Sequence, residues 1–263
     1  MVIAAPLLFA LAAWFLGTAA VVWLNSRAPA TFARSLRIGA VLSLAATLWL
    51  AVLVRDPSPA AAYAAFAAAI VIWGWHELAF LTGAVMGPNR TLCPAGLAGW
   101  PRFRAATATV IHHEVALAAH LALIAAIGWE QPNQTATAAF AALFVLRLSA
   151  KLNLFLGVAN LSDEVFPARL AYLKSYFGAR RWTPFYIVSL IGGGWLIWTG
   201  WTMAQAASGG AATGAMLVTG LATLGLVEHA LLMLPLSDAA MWRWASAAHT
   251  SGVRPAISID ERG

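Results

Sequence analysis

Three glutamates stand beside histidines inside long apolar runs: His76-Glu77, His113-Glu114 with His112 before them, and Glu228-His229. An ionisable side chain held in hydrocarbon is costly, and where it persists it marks a ligand site, a proton relay or an internally paired charge. Imidazole and carboxylate together suit Fe, Mn or Zn, and helical bundles assemble such sites from inward-facing Glu and His on several helices. The candidate metal ligands are therefore Glu77, Glu114, Glu228, His76, His113 and His229. A neutral imidazole is also the usual axial ligand of haem iron, and the same lone pair can hold the magnesium of a chlorophyll-type ring. His76, His113 and His229, with His112 and His120, are the candidate tetrapyrrole ligands.

The spacing qualifies both chemistries. The Glu-x-x-His repeat of soluble di-iron bundles is missing, and adjacent residues point about 100° apart on a helix, so one member of each pair can ligate while the other pairs elsewhere. His113 and His120 lie seven apart and share a helix face. Arg147, Lys151 and Asn153 form a further polar group in an apolar run. A purely structural reading follows from them: Glu77, Glu114 and Glu228 neutralise Arg147 and Lys151 in an internal network, the usual fate of intramembrane charge. A proton or solute path is a third reading, weakened by the lack of inverted repeats or paired broken helices.

The elements that carry these residues are set by composition. The 263-residue chain is 61% hydrophobic and 10% charged, with a mean hydropathy of +0.76. Runs of about 20 apolar residues, enough to span a bilayer as helices, fall at roughly 2–24, 37–54, 60–86, 105–128, 135–158, 184–206 and 212–235. The expected fold is all-α, a polytopic bundle of about seven transmembrane helices, with a single membrane domain over 1–236 and a tail over 237–263. Alternation typical of outer-membrane barrels is missing. Basic residues collect in the first, third and fifth loops (Arg27, Arg34 and Arg37; Arg90, Arg102 and Arg104; Arg169, Lys174, Arg180 and Arg181) and in the tail. This pattern predicts a periplasmic N-terminus, a cytoplasmic C-terminus and a multi-pass protein of the bacterial inner membrane. It also explains the net charge of +6 without nucleic acid as a partner. Cys93 is the one cysteine, which excludes an intrachain disulfide and a thiolate cluster. A retinal-type pigment needs a lysine in the last span, and the lysines are Lys151 and Lys174.

On this topology the polar residues of spans 3, 4, 5 and 7 are expected in one slab at or just inside the midplane, with His76 and Glu77 about ten residues, or 15 Å, from the inner end of span 3. Gly192, Gly193 and Gly194 permit a close approach or a bend in span 6. Trp73, Trp75, Trp195, Trp198 and Trp201 are candidate walls of a pigment pocket, whereas Trp182 and Trp242 read as interface anchors. After span 5, Leu170, Tyr172, Leu173, Tyr176 and Phe177 alternate with basic residues as in an amphipathic helix at the membrane surface.

Several segments occur together: Trp73-Gly74-Trp75-His76-Glu77-Leu78, Gly87-Pro88 with Cys93-Pro94, His113-Glu114, Lys151 through Leu161, Pro167 through Phe177, and Glu228-His229. With them the chain resembles the photosynthetic complex assembly proteins of the PuhE type from purple phototrophic bacteria, over nearly its whole length. The resemblance implies an integral membrane protein that supports assembly of the reaction centre and core light-harvesting complex and influences bacteriochlorophyll supply. It implies photosynthetic complex subunits or pigment-biosynthesis enzymes as partners besides the lipid bilayer, and no known catalytic activity. Two functions are expected to compete. One is an assembly factor that binds or delivers bacteriochlorophyll or haem through the buried His/Glu layer. The other is a membrane metalloenzyme, an oxidase or hydroxylase acting on a pigment or isoprenoid precursor.

Overall fold

The computed structural model describes residues 4–157, 167–179 and 181–233; the expected tail over 237–263, with His249, lies outside them. Among the described residues seven helices are long and apolar enough to cross a membrane: α1 (Ala4–Asn25), α2 (Phe32–Leu53), α3 (Pro59–Leu81), α4 (Gly99–Ile127), α5 (Thr135–Leu156), α6 (Pro184–Ala206) and α7 (Gly209–Leu231). A protein of this kind is a multi-pass membrane protein in contact with lipid, since only a helix satisfies its own backbone in hydrocarbon. Turn chemistry sets the ends. Ser58 and Thr183 each accept from a backbone N–H three residues on, ahead of Pro59 and Pro184, which the first helical position accommodates. Gly157, at φ 121°, ends α5.

Helices α3 and α7 are the centre of the bundle: each has 61% of its apolar window buried, against 11–28% for the other five. Their sequences explain this. Helix α3 turns Ala61, Ala62, Ala65, Ala68 and Ala69 inward, and α7 does the same with Gly210, Ala212, Gly214, Gly220, Ala222 and Gly225. Small side chains let helix backbones approach, which is how helices associate where hydrocarbon surrounds them on all sides. A Cβ on Gly225 would stand 2.5 Å from Leu146 Cδ1 on α5. Of the four glycines in α6, Gly193 meets Leu226 and Gly200 meets Thr219 of α7, whereas Gly192 and Gly194 face open space.

Several boundaries differ from the hydropathy reading. Helix α3 stops five residues early, at Leu81, where Thr82 folds its hydroxyl back on Leu78 O and Gly83 takes φ 78°. Helix α4 starts six residues early, at Gly99, and takes in Arg102 and Arg104. Residues 168–176 are a 3₁₀ run instead of an amphipathic α-helix. Its period of three turns Leu170, Leu173 and Tyr176 inward, and the two leucines pack with Phe80 and Met86. The run is therefore folded onto the bundle. Arg169 fastens it: Nε donates to Leu81 O at 2.8 Å, the guanidinium donates to the Asn25 side chain, and its plane covers Phe32 at 4.7 Å. One side chain thus joins the ends of α1, α2 and α3. Arg102 does the same for α4, donating to Tyr176 O at 2.6 Å and lying over the Phe155 ring. Burial of Tyr172 pushes its phenol above the ordinary range.

The loop between α3 and α4 lies directly on α4. Gly87 N donates to Thr109 O and Asn89 N to Ala108 O, and a Cβ on Gly87 would fall 1.9 Å from Ala108 O. No side chain fits there. Gly87→Ala is expected to lower the thermal midpoint of the detergent-solubilised protein by several degrees, a loss of more than about 2 kcal/mol. Gly192→Ala should leave that midpoint unchanged. Equal midpoints for the two variants would show that the loop is free to lift.

Candidate functional site

Arg147 and Lys151 are four residues apart on α5 and so share one face. They meet acids from two other helices. Arg147 Nη2 lies 3.1 Å from Glu77 Oε2 on α3, and Lys151 Nζ lies 2.5 Å from Glu114 Oε1 on α4. Side-chain exposure is 11% for Glu77 and 14% for Glu114. Each carboxylate therefore has its own cation, as the structural reading of the sequence expects. Lys151 also sits over the Phe80 ring at 5.2 Å, a favourable contact for an ammonium.

The histidines fall into separate settings. His76 Nε2 is 3.0 Å from His120 Nδ1, and His120 Nε2 is 3.0 Å from Thr47 Oγ1. The Thr47 hydroxyl donates to Ser43 O at 2.8 Å. Its oxygen then accepts from His120 Nε2–H, and His120 Nδ1 accepts from His76 Nε2–H. Phe140 stacks on His120 at 5.9 Å. His229, on α7, donates from Nδ1 to Gly225 O at 2.8 Å, and its Nε2 is 3.0 Å from Ser149 Oγ on α5. Ser149 continues to Ser189 on α6, which also accepts from Asn153 Nδ2 at 3.0 Å. His113 is fully enclosed, with its ring 4.7 Å from Phe80, and neither ring nitrogen has a partner. His112 is exposed on the outer face of α4, away from all of these.

The expected layer exists, with changes in depth and connectivity. Because α3 ends at Leu81, Glu77 is four residues from its end, about 6 Å. Glu228 is three residues from the end of α7. The charges thus lie nearer the end of the bundle that carries the basic loops than the middle. His113 and Glu114 reach this level because α4, with 29 residues, extends past its neighbours at that end. Antiparallel packing of α3 and α4 sets Phe80 against His113 and His76 against His120.

The carboxylates do not gather into a shared donor set. Glu77 and Glu114 face cations, Glu228 is exposed beside Arg147, and His76 and His120 spend their facing nitrogens on each other. Among the described residues no three His, Cys, Asp or Glu side chains come together as metal ligands. The six expected ligands thus do not fit a metal ion as they stand. Trp195 and Trp198 are 62% and 66% exposed on α6 and stand apart from the cavity that Trp14 and Trp73 line. Sequence reasoning missed Thr47, Ser149 and Ser189. Hydroxyls of this kind are common in membrane helices and usually bond their own backbone, so nothing in their spacing flagged them.

Comparison with known proteins places the chain. The profile of one family matches residues 1–252. The chain belongs to the family described as "Protein of unknown function (DUF3623)". A relative in Rhodobacter capsulatus, the uncharacterized 30.4 kDa protein in the puhA 5′ region, is 37% identical over 240 residues, which cover 88% of this chain and 86% of the relative. No solved structure matches.

If mutual neutralisation holds α4 to α5, Lys151→Met leaves Glu114 uncompensated and costs about 3 kcal/mol, the lower end of the range for breaking a buried pair. The double variant Lys151→Met/Glu114→Met should regain most of that stability. Denaturation in SDS checks both. A single variant no less stable than the double would show that the pair contributes nothing to holding the helices.

Proposed function

We propose that the protein is an integral membrane assembly factor of the PuhE type for the photosynthetic reaction centre and core light-harvesting complex. The observation that carries this reading is the 37% identical relative in the puhA 5′ region, which agrees with the segment-by-segment resemblance to photosynthetic complex assembly proteins. The geometry offers a surface for such a role. The 3₁₀ run and the α3–α4 loop make one tied surface, held by Arg102, Asn89 and Tyr176, on which photosynthetic complex subunits or pigment-biosynthesis enzymes can dock. That surface carries the basic loops, so it faces the cytoplasm on the positive-inside rule, and the membrane is the bacterial inner membrane.

Delivery of bacteriochlorophyll or haem is the finer form of the proposal. His113 is the imidazole suited to it, because His120 and His229 engage both ring nitrogens in the bundle and His76 engages Nε2, whereas both nitrogens of His113 are unbonded. Its enclosure by Phe80 and neighbouring helices means that α4 must part from α3 for a ring to enter.

In a phototrophic host, deletion of the gene is expected to lower near-infrared absorbance of the reaction centre and core antenna several-fold. Full absorbance in the deletion strain would remove the assembly role. The wild-type gene and Arg254→Ala should restore it, and Glu114→Ala and His113→Ala should not. Restoration by His113→Ala with bound pigment unchanged in the purified protein would leave assembly standing and end the pigment reading.

A further inference from the structure

Helices α1, α3, α5 and α7 line a partly open cavity of about 140 Å³ whose two ends differ in chemistry. One end is apolar and narrow, between Trp14, Gly17, Ile70 and Trp73. The glycines keep it open and slim: a Cβ on Gly17 would already stand 3.0 Å from Ile70. The other end holds Glu77, Arg147 and Glu228. Although Arg147 is paired with Glu77, its side chain is 40% exposed, because it looks into this space. Glu77 Oε1 is enclosed beside it without a hydrogen-bond partner.

We propose that this cavity binds a neutral amphipathic molecule with a hydroxyl head and a slim apolar tail. The polar end selects the head. A guanidinium carries five N–H donors, and the bond to Glu77 Oε2 uses one. A hydroxyl can accept from Arg147 while donating to a carboxylate. Glu77, Glu228 and Arg147 together leave an excess of negative charge at this end, so an anionic head is repelled whereas an uncharged hydroxyl is not. The apolar end selects the tail. The apolar stretch from Trp14 to Val22 rises roughly 12 Å along α1, a space of about 140 Å³ limits the tail to about six carbons, and the glycine-lined slot excludes a bulky ring system. This site goes beyond the assembly role and does not depend on it.

The test is photolabelling of the full-length protein in nanodiscs with a diazirine-bearing hexanol, with labelled peptides mapped by mass spectrometry. Labelling is expected on α1 and α3 near Trp14 and Gly74. Excess hexanol should compete, whereas hexanoate and hexane should not. Gly74→Leu places a side chain in the cavity, since a Cβ there lies 3.7 Å from Val21 Cγ2, and should reduce labelling several-fold. Gly192→Leu, on the open face of α6, should not. Should Gly74→Leu fail to fold, the competition series on the unmodified protein decides by itself. Equal competition by hexane or hexanoate, or labelling spread evenly over the lipid-facing helices, overturns the proposal.

Discussion

The pairing of ionised side chains across helices is the constraint on which the rest of this bundle depends. In hydrocarbon, burial of apolar surface does little to choose between helix arrangements, because lipid tails are as apolar as leucine. A buried carboxylate without a cation is far more discriminating. Arg147 and Lys151 project from one face of α5, and this fixes where Glu77 of α3 and Glu114 of α4 must stand. Any rotation of α3 or α4 that broke these contacts would strand a charge, at a cost of several kcal/mol. The pairs thus act as register marks for helices whose apolar surfaces are otherwise interchangeable.

Around those marks the remaining polar groups are arranged by hydrogen bonding. The chain from His76 through His120 to Thr47 ties α3, α4 and α2, and the cluster of His229, Ser149, Ser189 and Asn153 ties α7, α5 and α6. Together with the ion pairs they link six of the seven helices through polar contacts, while α1 packs by small and apolar residues on α3 and α7. The cavity lies where α1 completes the bundle, and its polar end is the exposed side of a pair whose other side holds α3 to α5. A structural contact and a candidate binding surface are therefore two sides of the same guanidinium.

The arginines of the basic loops do more than set orientation. Arg102, in the first turn of α4, and Arg169, in the 3₁₀ run, are among the cations that the positive-inside rule counts as topology signals. In the folded protein each ties the 3₁₀ run to helix ends through backbone carbonyls and an aromatic face. Arginine suits this task because its planar fork donates in several directions while its face stacks on a ring. The surface they build is ordered by contacts that no count of loop charge would foresee.

By itself the sequence determined that this is a helical membrane protein of seven spans, that its basic loops lie at one end, and that three carboxylates, two cations and several histidines must be reconciled inside it. Apolar run length and charge placement are local quantities, and both survive without knowledge of neighbours. Only the tertiary structure decided which acid meets which cation, that His76 faces His120, that His113 is enclosed with its nitrogens unbonded, and that Trp195 and Trp198 point outward. Those outcomes depend on the lateral order and rotation of the helices, which hydropathy leaves open because every rotation of an apolar rod looks alike to it. The end of α3 at Leu81 and the 3₁₀ run at 168–176 were hidden for a related reason. Their residues are apolar enough to continue a span or coat a membrane, and it is packing against Phe80 and Met86 that turns them inward.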